Sequence, residues 1–382
     1  MEKPKVAIIH DYLIQHGGAE KTVEAIAELF PDAPIYTSIY RPEKVGGIFP
    51  TRKVVTISKK INVSFGLFPI LSKYFTFLTP LMFENLDLRE FDIILSSSSS
   101  YAKGVLTNPK QLHISYIHTP PRFLYGFSVE STKRNAWYYK PVVMVVDQFL
   151  RIWDFIAAQR ADFLVANSTT VKNRIYKFYR RGATVINPPV EMETRKTERN
   201  SLEQPYYYSI SRLSAYKNLD LIIQAFNILG LDLKIAGTGA EEKKLKSAAK
   251  SNIKFLGRIS DAEKNNLIEN SLGGIFPVED EDFGITPLEA LAHGKPVLVH
   301  RSGGPTETIR DGKDGMFFDK VELHDLMEKM RDFDQKVRAK HFDPDSMKAQ
   351  AAKFSKQKFQ NEFYRFVMDK WQEKISKEGF YK

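Results

Sequence analysis

Short apolar runs alternate with amphipathic stretches along most of the chain. Strands are predicted at 5–10, 92–96 and 112–117, and a helix end, a strand and a polar turn fall within 160–169. Residues 19–30 have apolar positions three and four apart, which predicts a helix after the first strand. The second half predicts strands at 206–211, 233–236, 253–256, 275–278 and 296–300, with helices at 218–229, 241–250, 261–268 and 305–309. Strands that alternate with helices in this way predict an α/β protein with parallel sheets.

The length and a charged central stretch predict two domains. A chain of 382 residues is too long for one ordinary core. Residues 191–204 are charged and lack an apolar period, so we expect a linker between a first domain at 1–190 and a second at 205–358. The final stretch, 359–382, has apolar residues at helical spacing and predicts a C-terminal helix.

Composition narrows the class of protein. The chain has no cysteine, which excludes a disulfide framework and any thiolate nucleophile or metal site. No apolar run is long enough for a membrane span, and the N-terminus leads directly into a strand, so we expect a cytoplasmic protein without a signal peptide. The net charge of +10 is uneven, because residues 1–190 hold 24 basic and 15 acidic residues and the remainder holds 32 and 31. We therefore expect an anionic partner for the first half, either nucleic acid, a lipid surface or a phosphorylated substrate.

A basic and aromatic region lies between residues 53 and 83. Lys59, Lys60 and Lys73 are interleaved there with many Phe and Leu residues. Such a stretch forms either helices buried in the first core or a surface that rests on an anionic membrane. We favour the membrane surface, with the first domain attached to it.

The stretch from Pro277 to Gly294 joins a strand to a helix and carries two acids near the turn. Thr286 is predicted as the N-cap of this helix, with Pro287 at N1 and Glu289 at N3. Ligands of parallel α/β sheets bind beyond the carboxyl ends of the strands, where both Glu281 and Glu289 fall. The alternative is a capping box, in which Glu289 only folds back onto the amide of Thr286.

Residues 281–294, E-D-F-G-I-T-P-L-E-A-L-A-H-G, resemble the E-x7-E element of the retaining GT-B glycosyltransferases of family GT4. The resemblance implies that Glu281 contacts the donor sugar and that Glu289 contacts the ribose of the nucleotide. The residues between these acids are then expected to line the nucleotide-sugar, and they are Phe283, Gly284, Ile285 and Thr286.

Two stretches of the first domain resemble elements of the same family. HDYLIQHGGAEK places Gly17 and Gly18 between a strand and a helix, where glycines either turn the chain tightly or direct backbone N–H groups at an anion. It resembles the family's GGAE element, which lies against the donor diphosphate and the acceptor. YIHTPPRFLYG resembles the HTP segment of bacterial polysaccharide mannosyltransferases, which implies that His118 faces the reacting centre and binds the sugar. A histidine at a strand end, taken alone, is more often a packing residue.

The first strand of the second domain is followed by two cations. Residues 211–218 match the family's Arg and Lys that hold the donor diphosphate, here Arg212 and Lys217. A departing nucleoside diphosphate gains negative charge, which donors already in place stabilise, and these cations could do so without a metal. Gly237 and the Gly257-Arg258 pair end the next two strands and fit either a close approach to the nucleotide or ordinary turns.

The resemblance covers nearly the whole chain. It implies a GT-B fold of the α/β class, with two doubly wound Rossmann-like domains facing a central cleft and a C-terminal helix that crosses back to the first domain. It further implies a retaining hexosyltransferase that needs neither metal nor cofactor. The expected reaction moves mannose from GDP-mannose, or a sugar from another nucleotide-sugar, to a polyprenyl-linked or oligosaccharide acceptor of lipopolysaccharide or another surface polysaccharide. The expected location is peripheral, on the inner face of the plasma membrane.

Several alternatives remain open at this point. A transferase of the same family that uses a UDP-sugar is the nearest, because donor preference depends on a few loop residues. A UDP-sugar 2-epimerase, a two-carboxylate glycosidase and a metal site at Asp280-Glu281-Asp282 fit the motifs less well. A nucleic-acid-binding protein is the alternative from another class, but the aromatic residues cluster with aliphatic ones and we expect no nucleic acid as partner.

Overall fold

The computed structural model describes residues 3–45, 49, 53–57, 79–127, 140–192 and 204–379. These residues form two compact units: the first contains the described residues up to 189 together with 357–379, and the second contains 190–192 and 204–356. Val190, the last residue of the predicted first domain, is fully buried in the core of the second unit. Most of the predicted linker lies outside the described residues, as do Lys59, Lys60 and Lys73 of the basic aromatic region.

The first unit is built on a parallel sheet of seven strands in the order β3-β2-β1-β4-β5-β6-β7. The strands are β1 Val6–His10, β2 Ile35–Thr37, β3 Val54–Thr56, β4 Ile93–Ser98, β5 Leu112–Ile117, β6 Phe163–Ala166 and β7 Thr184–Val185. The helices of this unit are α1 Gly18–Leu29, α2 Pro42–Val45, α3 Thr79–Glu84, α4 Lys140–Arg160 and α5 Thr169–Tyr179. All residues of β1, β4 and β5 are buried, and β1 is apolar up to its last residue, whereas β4 ends in three serines and β5 contains a histidine and a serine.

The C-terminal helix packs into the core of the first unit. It is the last helix of the chain, residues Lys356–Gly379, and is called α13 below. Phe359, Phe363 and Val367 are almost completely buried in that core, and Tyr116 of β5 contacts both phenyl rings edge-on. The apolar period that predicts this helix therefore marks its buried face.

The second unit is a parallel sheet of six strands in the order β10-β9-β8-β11-β12-β13. Its strands are β8 Tyr206–Ile210, β9 Asp232–Ala236, β10 Ile253–Gly257, β11 Gly273–Phe276, β12 Val297–His300 and β13 Gly315–Phe318. Its helices are α6 Leu219–Leu229, α7 Glu242–Ala248, α8 Asp261–Asn270, α9 Ile285–Ala292, α10 Pro305–Thr308, α11 Leu323–Arg338 and α12 Pro344–Ala352. The α/β class and the two doubly wound sheets predicted from the sequence are confirmed.

One predicted helix start is wrong. Helix α9 begins at Ile285, and Gly284 is its N-cap with a φ of 90°. Thr286 is therefore inside the first turn and is not the N-cap, and Glu289 lies beyond N3. Gly284 adopts a left-handed conformation, which glycine reaches more easily than other residues. The helix therefore starts two residues earlier than the Thr-Pro pair predicts.

Candidate active site

The predicted site residues follow strands at the point where the strand order of each sheet reverses. In the first unit the chain leaves β1 for β2 on one side and returns to β4 on the other, and in the second unit β8 stands between β9 and β11 in the same way. Crevices at such reversals, beyond the carboxyl ends of the strands, are the ligand sites of open parallel sheets. The loops after β1, β4 and β5 and those after β8 and β11 are therefore candidate binding elements.

In the first unit, a serine links two buried histidines. The Ser97 hydroxyl lies 2.7 Å from Nε2 of His118 and 3.2 Å from Nδ1 of His10. Burial, and to a smaller extent His10, lowers the pKa of His118 to about 3. At neutral pH, His118 is consequently an uncharged hydrogen-bonding group and not a proton donor of the imidazolium type.

Asp11 is a structural residue of this region that the sequence analysis missed. Its Oδ2 accepts hydrogen bonds from the backbone N–H groups of Ser99 and Ser100, at 2.6 and 2.8 Å. Its Oδ1 accepts from those of Tyr101 and Ala102, at 2.8 and 2.6 Å. The carboxylate at the end of β1 thus fixes the turn that follows β4. An acid directly after a buried strand is the only signal of this role that the sequence contains.

The two glycines predicted at the diphosphate stand at the start of α1. Gly17 is the N-cap in an extended conformation, and its N–H donates to Oε2 of Glu20 at 2.9 Å. A Cβ atom added at Gly17 would lie only 3.1 Å from that oxygen. Gly17 and Gly18 are half-buried at the amino end of a twelve-residue helix, the end that favours negative charge.

In the second unit, the structure brings together two of the predicted catalytic residues. Lys217 ends a 3₁₀ turn after β8, and Glu281 lies in the loop after β11. Lys217 Nζ is 2.7 Å from Oε2 of Glu281. Burial alone lowers the pKa of Lys217, but the Glu281 carboxylate and the Tyr216 hydroxyl outweigh it, so the pKa is raised. Lys217 therefore stays protonated at neutral pH.

Local backbone geometry holds this pair in place. Asn218 adopts a left-handed conformation with a φ of 51°, and its side-chain amide donates to the carbonyl oxygen of Pro277 at 2.9 Å. That bond joins the loop after β8 to the end of β11. Asp280 also has a positive φ, 55°, and its N–H donates to the Ser302 hydroxyl at 2.7 Å.

A glycine pair after β12 supports the Glu281 loop from behind, and the sequence analysis missed it. A Cβ atom on Gly303 would lie 2.1 Å from the carbonyl oxygen of Glu281. This oxygen belongs to the backbone, so it could not move away without a shift of the loop. The N–H of Gly304 donates to that same oxygen at 2.8 Å. The loop therefore depends on the absence of side chains at both positions. The two consecutive glycines after a predicted strand are the sequence feature that indicates such a close backbone approach.

Glu289 does not cap its helix but pairs with a lysine from another helix. Its Oε1 lies 2.9 Å from Nζ of Lys264, and both residues are buried. Asp261 is 3.2 Å from the same nitrogen and Glu191 is 3.9 Å from it. Lys264 was not predicted as a site residue. Its position on α8 shows no pattern that separates it from a solvated surface lysine.

The remaining predicted residues of this unit differ in burial. Phe283 is buried and its ring lies 5.7 Å from that of Phe354, whereas Ile285 and Thr286 are partly exposed. Arg212 and Arg258 are exposed, and Arg212 Nη2 lies 3.4 Å from the Tyr216 hydroxyl.

Gly237 marks a close approach of two loops. It has a φ of 131°, and a Cβ atom added there would lie 1.9 Å from the carbonyl oxygen of Ser211. Only glycine therefore lets the loop after β9 lie against the start of the Arg212 loop.

Among the described residues, no helix is long and apolar enough to cross a bilayer. Within the same ranges, no group of three His, Asp or Glu side chains is arranged to hold a metal ion.

Comparison with known proteins places the second unit in a family. The family model of "Glycosyl transferases group 1" matches residues 190–341. The α-1,3/1,6-mannosyltransferase alg2 of Schizosaccharomyces pombe is 24% identical over 59% of this chain and 52% of its own length. ALG2 of Dictyostelium discoideum, also an α-1,3/1,6-mannosyltransferase, is 27% identical over 59% of this chain and 63% of its own length. The chain thus spans little more than half the length of the first of these relatives.

A solved structure shares the fold over nearly the whole chain. The crystal structure of Anabaena Alr3699/HepE in complex with UDP and glucose matches with a TM-score of 0.71 and 18% identity, covering 96% of this chain and 100% of that one. At this identity the match shows the fold alone. The predicted GT-B fold and the resemblance to GT4-type glycosyltransferases are confirmed.

Proposed function

We propose that this chain is a group 1 glycosyltransferase with the GT-B fold and that it transfers mannose from GDP-mannose to a lipid-linked acceptor. The observation that carries the proposal is the ion pair between Lys217 and Glu281, 2.7 Å long, in the unit that matches the family model. The mannosyltransferase names of two relatives favour mannose as the sugar.

Lys217 and Arg212 are the groups that would hold the donor diphosphate. When the sugar–phosphate bond breaks, charge grows on the leaving nucleoside diphosphate, and fixed cations stabilise that charge without any rearrangement. Lys217 suits this role because its raised pKa keeps it charged. Arg212 is exposed on the same loop and supplies planar N–H donors that match phosphate oxygens. We infer a transfer that needs no metal.

The two acids would recognise the donor through its hydroxyl groups. An ionised carboxylate accepts hydrogen bonds at both oxygens, so Glu281 has capacity for a sugar hydroxyl while it pairs with Lys217. Glu289 has the same capacity beside Lys264, and we assign it to the ribose. Phe283, Gly284, Ile285 and Thr286 lie between these acids in the sequence and would line the nucleotide-sugar.

His118 would bind the transferred sugar as a neutral hydrogen-bonding group. Burial lowers its pKa to about 3, so near pH 7 the uncharged ring can donate or accept a hydrogen bond with a sugar hydroxyl. We propose that the leaving phosphate takes the proton of the acceptor hydroxyl on the same face of the sugar. The anomeric configuration is then retained.

The acceptor is proposed to be a polyprenyl-linked or other lipid-linked saccharide on the inner face of the plasma membrane. The excess of basic residues in positions 1–190 supports this, because a lipid diphosphate and an anionic bilayer are both negatively charged. Synthesis of lipopolysaccharide or another surface polysaccharide is the process in which such a transfer takes place.

Thermal denaturation with nucleotides in EDTA tests the donor assignment. GDP and GDP-mannose at about a hundred times their Kd are expected to stabilise the second unit by about 2.7 kcal/mol, which corresponds to a rise in Tm of roughly 5–10 °C. UDP and UDP-glucose are expected to shift Tm less. Release of GDP and mannosylated product from a polyprenyl-linked saccharide then tests the transfer itself.

The controls separate the parts of this proposal. If UDP compounds alone raise Tm, the assignment of GDP-mannose as donor is wrong, but the proposal that the chain is a glycosyltransferase remains. Loss of stabilisation in EDTA, restored by Mg²⁺, would make the metal-free mechanism wrong. If no nucleotide or nucleotide-sugar shifts Tm, the chain is not a transferase of this kind.

A further inference from the structure

Helix α4 has its apolar face turned away from the first unit. Val142, Val145, Phe149, Ile152 and Ile156 recur at intervals of three and four residues, and each is 49–69% exposed. Met144 and Phe155 extend the same surface, at 68% and 41% exposure. Single exposed apolar residues are ordinary, but a continuous stripe along a whole helix marks an interaction site.

The two acids of α4 face the interior instead. Asp154 is buried, with its carboxylate 2.5 Å from Nζ of the equally buried Lys103 and 2.8 Å from the Tyr125 hydroxyl that donates to it. Asp147 is buried as well. These contacts fix the rotation of the helix about its axis, so the apolar stripe cannot turn inward without breaking a buried ion pair.

The exposed face carries no charge beyond the first residue of the helix. After Lys140, the well-exposed residues of α4 are Pro141, Val142, Met144, Val145, Gln148, Phe149, Ile152, Phe155, Ile156 and Gln159. Eight of these ten are apolar and two are glutamine. A solvated helix has the opposite arrangement, with charged residues outward.

The surroundings of the stripe are positively charged. Residues 140–181 contain eight Lys and Arg and three Asp, a balance of +5, and two of the three Asp are the buried ones on α4. Helix α5 packs beside α4. Arg181, two residues after the end of α5, donates to the carbonyl oxygen of Ala158 at 2.8 Å. Helix α5 exposes Lys172, Tyr176 and Lys177.

We propose that the apolar stripe of α4 (Val142, Val145, Phe149, Ile152 and Ile156) is a docking surface for an anionic lipid bilayer. A helix of 21 residues is about 30 Å long and would lie in the plane of the interface with its apolar side chains in the acyl boundary. Lysines beside it would then contact lipid phosphates. A second copy of the chain fits less well, because it would bring the same positive charge and no exposed acid of α4 to pair with it.

Vesicle flotation tests the proposal without any sugar donor, so its outcome is independent of the proposed transfer. Wild-type protein is expected to float with vesicles of 70% phosphatidylcholine and 30% phosphatidylglycerol. It is expected to bind vesicles of phosphatidylcholine alone less, and the anionic ones less at high salt. Phe149→Ser/Ile152→Ser should lower the partition coefficient about tenfold or more, since two inserted side chains are lost. Lys172→Gln/Lys177→Gln should weaken binding to the anionic vesicles only.

A matched control uses exposed apolar residues of the second unit. Ile228 and Leu256 are 58% and 40% exposed, and Ile228→Ser/Leu256→Ser should bind vesicles like wild type. The proposal is overturned if wild type does not float, or if Phe149→Ser/Ile152→Ser floats equally well. A dimer that this double variant dissociates, without vesicle binding, would assign the stripe to a second copy. A large fall in Tm for this variant alone would show that another part of the chain covers the stripe.

Discussion

Nζ of Lys264 lies 2.9 Å from Oε1 of Glu289, and both side chains are buried. Because the N-cap of the helix is Gly284, Glu289 is not at N3 of a capping box, and its Oε1 lies instead beside a lysine of another helix. One carboxylate oxygen of Glu289 lies beside the lysine, and a carboxylate has further lone pairs that can accept ligand hydroxyls.

Removing Lys264 is expected to destabilise the second unit. Lys264→Met removes the cation that lies 2.9 Å from the buried Glu289 carboxylate, which should cost about 3 kcal/mol of unfolding free energy. Lys264→Met/Glu289→Gln should recover much of this loss, because the unpaired charge is gone. Donor binding should stay weak in the double variant if Glu289 binds ribose. Thermal denaturation and titration with GDP measure the two effects separately.

The control for this pair is an exposed one. Lys246 and Glu242 lie 2.7 Å apart on the surface of α7, and Lys246→Met should change stability by less than about 0.5 kcal/mol. Should the double variant bind GDP as wild type does, Glu289 has a structural role alone.

The Lys217–Glu281 pair is expected to matter for turnover more than for stability. Lys217→Met removes a fixed cation at the leaving group and should lower kcat about a hundredfold or more. Glu281→Ala should lower kcat as well, with little change in Tm, because both side chains are partly accessible to solvent. The measurement is steady-state turnover with GDP-mannose alongside a melting curve.

Glu279 provides the comparison, since it lies on the same loop and is exposed. Glu279→Ala should retain wild-type turnover. A folded Glu281→Ala protein with unchanged kcat would remove Glu281 from the site.

Acid is expected to destabilise the first unit through its buried histidines. Burial, followed by Arg181 and Arg160, lowers the pKa of His113 to about 3, and that of His118 is lowered equally far. Between about pH 6.5 and pH 3 the unfolded chain binds protons that the folded chain does not, so stability falls as the pH falls. At pH 5 each histidine should contribute a loss of about 2 kcal/mol.

His113→Gln tests this, because glutamine can keep the contact with the Ser96 hydroxyl, 2.8 Å from His113 Nε2, but does not titrate. Its Tm should decrease less than that of wild type between pH 7.5 and pH 5. The exposed His324→Gln should decrease as wild type does. An unchanged decrease in His113→Gln would show that another group is responsible.

The sequence predicts the central strands well and the edges poorly, for a physical reason. Strands β1, β4 and β5 are buried along their whole length and carry enough apolar residues to be recognised, although β4 also contains serines and β5 a histidine and a serine. The edge strand β7 has only two residues, Thr184 and Val185, so it has no period to detect. β2 and β3 have three residues each and were missed likewise.

The same division holds for the candidate site. Lys217 and Glu281 were predicted because both occupy positions with a family pattern. Lys264 and Glu289 are 25 positions apart and meet only because α8 and α9 pack on one sheet, which no local pattern encodes. Asp11 is 88 to 91 positions away from the four residues whose N–H groups it accepts, and the sequence does not reveal these bonds for the same reason.

The bonds of Asp11 also have a consequence for the order in which the chain folds during synthesis. Its carboxylate has no backbone partner until residues 99–102 have left the ribosome, so the loop after β1 must wait for β4. Contacts so distant in sequence require the closure of a long loop and form late. The amino-terminal strand is therefore made first, but the turn at its end acquires these four bonds only after β4 has been made.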